Sequence, residues 1–195
     1  MIALPAAARA SAPRALLLLL GLALAVGLRV AVNGPGVPAA FIAGALFGVL
    51  LLGVSLTAGW RPGRPRAASM ALGLAGGVVL VVVPWLVHPL PAPGLGLHPQ
   101  PFGLWVAITV LVAVGEEVLL RGVLFNAINL ALGLPAAVAV SSLAFALLHV
   151  PLYGWQVVPL DLGVGVLFAG LRILGRGAGA PALAHLIADL ATWWL

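Results

Sequence analysis

The chain has 195 residues, 64% hydrophobic and 7% charged, with a mean hydropathy of +1.25; these values exclude a soluble globular domain and indicate an integral membrane protein. It contains no cysteine, which excludes disulfides, thiolate metal sites and a cysteine nucleophile. The net charge of +5 arises from nine arginines, no lysine and four acids, and the arginines follow membrane topology rather than forming a nucleic-acid surface.

A bilayer core about 30 Å thick needs roughly 20 apolar residues in a helix. Stretches of about that length run, in chain order, over 15–33, 37–58, 68–88, 102–130, 135–150, 155–174 and 179–195. Turn chemistry separates them: "NGPGVP", "GWRPGRPR", "HPLPAPGLGLHPQP", "LGLP", "HVPLYGW" and "GRGAGAP". The last stretch is short for a span. The expected fold is therefore an all-α, polytopic transmembrane bundle of about seven spans (six to eight), forming a single domain over 1–195. No internal repeat supports a transporter built from inverted halves.

Arginine placement sets the expected orientation. Arg9 and Arg14 precede the first span, Arg61, Arg64 and Arg66 fill the loop after the second, and Arg172 and Arg176 follow the sixth. With the N-terminus cytoplasmic, and 1–14 a short cytoplasmic segment, all of these lie inside, as the excess of basic residues in cytoplasmic loops requires. Arg29, near the outer end of the first span, and Arg121 remain. The stretch "RASAPRALLLLLGLALAVG" has the basic start and apolar core of a signal peptide. No small-x-small cleavage site follows it, however, and the second span needs an antiparallel partner, so it reads as a span. The all-arginine, Ala- and Gly-rich composition points to a bacterial plasma membrane.

Within "AVGEEVLLRGVLFNAI", three charges interrupt the fourth span. An ionisable group at bilayer depth costs about 2.5–3.5 kcal/mol on insertion scales and usually faces a bundle interior or a wet cavity. Glu117 and Arg121, four residues apart, share a helix face as an ion pair in the favourable acid-first order. Glu116 is turned about 100° away; left without that partner, it is a candidate general base. Further on, "FALLH" sets Phe145 one turn from His149, and "HLIAD" sets His185 one turn from Asp189. Alone, each fits a structural role as well as a functional one. By helical rise, Glu116 and His149 lie at roughly 21 Å from their cytoplasmic ends, His185 at about 9 Å and Asp189 at about 15 Å, loosely compatible with one intramembrane site. There is no HExxH and no Ser/His/Asp arrangement. A small proton pathway lined by Glu116, His149 and His185 is a further reading of the same residues.

In order and rough spacing, "EEVLLR", "FALLH" and "HLIAD" resemble the EExxxR, FxxxH and HxxxD motifs of the CAAX prenyl protease and bacteriocin-processing (CPBP, or Abi) family, over about 103–189. The resemblance implies an intramembrane endopeptidase cleaving a peptide or membrane-protein substrate. Glu116 would activate water with help from His149, and His185 and Asp189 would orient substrate or stabilise the oxyanion. Glu117, Arg121 and Phe145 would support them. Leu120 stands where the family often has Phe, a minor packing change, but Asp189 stands where Asn is commonest. An amide can donate to an oxyanion; an ionised carboxylate repels it. Asp189 is then protonated, bound to His185, or a metal ligand, which leaves Zn²⁺ open, with Glu116, His149, His185 and Asp189 as candidate ligands. A catalytically silent scaffold or bacteriocin-immunity protein is the alternative.

The remaining polar residues read as structural. Asn126 and Asn129 are expected to bond neighbouring backbone, Asp161 to cap or solvate a helix end, and His88 and His98 to lie in a surface loop. The six tryptophans fall near expected interfaces, as aromatic belts do.

Overall fold

Long apolar runs leave the backbone no polar partner but itself, so helix is the only economical way to carry them through lipid. The computed structural model describes residues 6–34, 37–64, 66–87 and 100–194, and these contain no strand. His88 and His98 lie outside the described residues. The first three helices are α1 (Ala6–Val32), α2 (Val37–Thr57) and α3 (Ala67–Val87). A long fourth rod joins α4 (Phe102–Glu117), a π-helical stretch (Val118–Leu124) and α5 (Phe125–Leu132). Then come α6 (Leu134–Tyr153), a 3-10 turn at Trp155–Val157, α7 (Val158–Leu174) and α8 (Gly179–Ala191). Gly133 and Gly154, at φ 88 and 86, terminate the fourth rod and α6; only glycine enters that region freely.

Six of these rods are long and apolar enough to cross a membrane. The expected last span is the exception, since α8 has 13 residues and covers about 20 Å. It is an interior helix, burying Ala180, Pro181, Ala184 and His185 and packing on α3, α4 and α7. The rods around it expose Leu16, Leu20 and Leu24 on α1 and Leu74, Val78 and Val82 on α3, side chains that belong against lipid tails.

Because lipid is as apolar as leucine, helix association relies on close packing through small residues. On α3, a Cβ at Gly73 would come within 2.6 Å of the Ala180 carbonyl oxygen, and one at Gly77 within 2.7 Å of Ile187. Likewise a Cβ at Gly115 on α4 would meet the Gly48 carbonyl oxygen of α2 at 3.1 Å. The two ends of the bundle differ in character. At one, Arg14 donates to the Ala58 carbonyl, and Arg61, Arg64, Arg66 and Arg176 border a common recess. At the other, Trp105 and Trp193 lie 4.8 Å apart between ring centroids, with Phe102 5.0 Å from Trp193.

Gly73→Val should force α3 off α8 and destabilise the bundle by about 1–3 kcal/mol, the usual range for overpacking. Gly53, with nothing within 4 Å of its Cβ position, should accept Ala without loss. Thermal unfolding of both variants in detergent micelles checks the contrast.

Candidate active site

The fourth rod changes pitch immediately after its two glutamates. In the π-helical stretch the Phe125 N–H donates to the Leu120 carbonyl, five residues back, and such π insertions recur at functional sites. Arg172 of α7 braces this stretch, donating from Nε to the Arg121 carbonyl at 2.7 Å and from Nη2 to Asn126 Oδ1 at 2.7 Å. Asn126 is thus structural as expected, through a side-chain partner on another helix.

Arg121 is fully buried. Its Nη1 donates to Glu117 Oε1 at 2.9 Å, which is the expected ion pair, and its Nη2 to the Gly165 carbonyl at 3.1 Å. Its guanidinium lies over the rings of Phe145 and Phe168, at 4.7 and 5.3 Å. Gly165 makes that contact possible because α6 runs close beneath it: a Cβ there would meet Ser142 Cα at 2.9 Å. Glu117 has a second partner unforeseen from sequence, His185, whose Nδ1 donates to Glu117 Oε1 at 3.2 Å. This contact turns Nε2 toward two further carboxylates, Asp189 Oδ2 at 3.4 Å and Glu116 Oε2 at 3.9 Å, so that both ring nitrogens face acceptors.

Glu116 lies on the floor of a cavity of about 660 Å³ that is also lined by Arg29, His149, Asp161, His185 and Asp189. Its carboxylate is buried, yet its nearest charged neighbours, Arg29 Nη1 and His185 Nε2, both stand at 3.9 Å. That is too far for a direct hydrogen bond and suited to a bridging water. Glu116 Oε2 has no hydrogen-bond partner among the described residues. Elsewhere in the cavity, His149 Nδ1 lies 3.1 Å from both the Phe145 carbonyl oxygen and Asp161 Oδ2. Both are acceptors, so a neutral His149 carries its proton on Nδ1 and keeps its lone pair on Nε2. Phe145 stacks edge-on to both histidines, at 4.9 Å from His149 and 5.5 Å from His185.

Residues 98–191 match the family described as Type II CAAX prenyl endopeptidase Rce1-like. This segment is similar to that family, which falls within the CPBP group of CAAX-type membrane proteases. No curated protein and no solved structure matches the chain. The Rce1-like segment comprises the fourth rod through α8 and carries Glu116, Glu117, Arg121, Phe145, His149, His185 and Asp189. Arg29 reaches the same cavity from α1, outside the matched segment. Asp161 lies in the first turn of α7 and pairs with His149, while the N-cap position, Val157, makes no side-chain cap hydrogen bond. Sequence reading assigned neither residue to the site: the contacts of Asp161 and Arg29 join different helices and have no spacing signature. The one available signal was Arg29 itself, a lone cation on the arginine-poor side.

Among the described residues, no group of three His, Asp or Glu side chains is arranged to hold a metal ion. His149 Nδ1 is directed at the Phe145 carbonyl and Asp161, and His185 Nδ1 at Glu117. Both imidazoles are thus held through Nδ1, which leaves each Nε2 free of that contact.

Arg121→Ala would leave Glu117 buried without its guanidinium and should lower stability by about 3–5 kcal/mol, the usual cost of breaking a buried pair. Replacing both partners, Glu117→Leu with Arg121→Met, should recover part of that loss. Denaturant unfolding in micelles, read by tryptophan fluorescence, distinguishes these outcomes.

Proposed function

We propose that the chain is a glutamate-dependent intramembrane endopeptidase acting on a peptide or membrane-protein substrate. The observation that carries this reading is Glu116, a buried carboxylate lining a roomy, largely apolar cavity together with a cluster of ionisable groups, and held 3.9 Å from each of two groups able to carry positive charge. Glu117 in the next position has its Oε1 engaged by both Arg121 and His185 at hydrogen-bond distance, while its Oε2 is without a partner among the described residues. Of the two adjacent carboxylates, one is structural and the other is available for chemistry.

In the proposed reaction a water bound to Glu116 attacks the scissile carbonyl carbon while Glu116 accepts its proton. Negative charge develops on the carbonyl oxygen. Arg29, and His185 donating from Nε2 when protonated, are the groups placed to meet it. Collapse of the tetrahedral intermediate breaks the C–N bond, and the proton held by Glu116 passes to the leaving amine, so water and peptide give one acid and one amine. His149, with Nε2 as its lone-pair nitrogen, assists by accepting a hydrogen bond from the water.

Asp189 serves as a positioning residue. At 3.4 Å from His185 Nε2, its carboxylate orients the imidazole and need not touch the oxyanion. This removes the conflict raised by a carboxylate at that position. The carboxylate is also the one feature favouring a silent scaffold or immunity protein; failure of the folded protein to cleave any member of a broad peptide library would favour that reading.

Glu116→Ala should retain the fold and lose cleavage of a fluorogenic peptide library by about 10²–10⁴-fold, the usual contribution of a general base. Cleavage undiminished in that variant would overturn the proposal. No step passes through a metal, so a chelator should leave the rate unchanged. Loss of activity on chelation and recovery with Zn²⁺ would reassign Glu116, His149, His185 and Asp189 as ligands.

A further inference from the structure

The cavity and the arginines occupy opposite ends of the bundle. Around its mouth the cavity is lined by Arg29, Ala40, Pro84, Trp105, Tyr153 and Thr192. These lie within about one turn of the end of α1, the start of α2, the end of α3, the start of α4, and the ends of α6 and α8. All six helix ends belong to the face carrying the Phe102, Trp105 and Trp193 cluster. Glu116 lies at mid-depth beneath them.

The opposite end carries Arg14, Arg61, Arg64, Arg66, Arg172 and Arg176, and Arg9 precedes Arg14 in the chain. Contacts join these loops at one end: Arg14 donates to the Ala58 carbonyl, and Arg61, Arg64 and Arg66 border the same recess as Arg176. Among the described residues the one arginine at the mouth is Arg29, turned inward with its guanidinium 4.7 Å from the centre of the Phe47 ring. Short loops rich in arginine stay on the cytoplasmic side.

We infer that the cavity opens to the extracytoplasmic face and takes a peptide segment presented from that side: the terminus of an exported peptide or an exposed segment of a membrane protein. The substrate half of this inference rests on the endopeptidase reading; the orientation half does not. Three of the chain's four acids, Glu116, Asp161 and Asp189, line the cavity with Arg29, so the segment that fits is free of acidic side chains. A protein prenylated in the cytoplasm would approach from the wrong face.

The chain lacks cysteine, which makes the orientation directly measurable. Single cysteines at Asn33 and Gln156, near the mouth, and at Gly63, in the arginine-rich loop, are probed with a membrane-impermeant maleimide in intact spheroplasts and again after permeabilisation. Asn33→Cys and Gln156→Cys should label fully before permeabilisation with no gain afterward, and Gly63→Cys only afterward. The reverse pattern would overturn the orientation. In the same spheroplasts, a quenched peptide library bearing a membrane-impermeant dye should be cleaved at the same rate before and after permeabilisation. Glu116-dependent cleavage that appears only afterward would overturn the substrate side. Extracytoplasmic labelling without any Glu116-dependent cleavage would instead count against the endopeptidase reading and leave the orientation standing.

Discussion

A guanidinium fully enclosed among apolar helices can draw its partners only from inside the protein, and that constraint organises the fold around Arg121, whose Nη1 and Nη2 are paired while Nε has no hydrogen-bond partner among the described residues. Glu117 supplies the countercharge, Gly165 a carbonyl, and Phe145 and Phe168 two ring faces. These contacts draw in the fourth rod, α6 and α7; His185, bonded to the same carboxylate oxygen of Glu117, adds α8. Burying a charge is expensive and breaking such a pair more so, which makes the geometry hard to relax. The cost secures register: four helices that could otherwise slide past one another in lipid are fixed by hydrogen bonds of defined length.

That fixed register sets the geometry of the cavity. With Glu117 tied to Arg121 and His185, the adjacent Glu116 turns into the cavity with no short contact of its own. His185 then presents Nε2 to Asp189 and Glu116, while Asp161 sets the tautomer of a neutral His149. The π-helical stretch and its brace from Arg172 hold the rod at the point where these groups emerge. Thus the pair that stabilises the bundle also separates two adjacent carboxylates into different environments.

The motif segment does not complete the cavity. Arg29 and Phe41 come from α1 and α2, Leu80 and Pro84 from α3, and α3 approaches α8 only because Gly73 and Gly77 remove side chains from the contact. Apolar helices that look interchangeable in composition therefore have distinct tasks: one supplies a cation to the site, another covers the short interior helix that carries His185 and Asp189.

The sequence by itself determined the helical membrane architecture, because apolar runs of sufficient length admit no other backbone solution, and it placed most rod ends within a few residues. It also determined Glu117 with Arg121 and His185 with Asp189, since a spacing of four puts two side chains on one helix face. Contacts between helices were decided only by tertiary structure: His185 with Glu117, His149 with Asp161, and Arg29 facing Glu116 join positions with no fixed spacing. The interior position of α8 was likewise invisible, since hydropathy does not tell a residue packed against protein from one packed against lipid. Physically, local periodicity is written along the chain, whereas which faces meet depends on where small residues allow close approach and where a buried charge must find its partners.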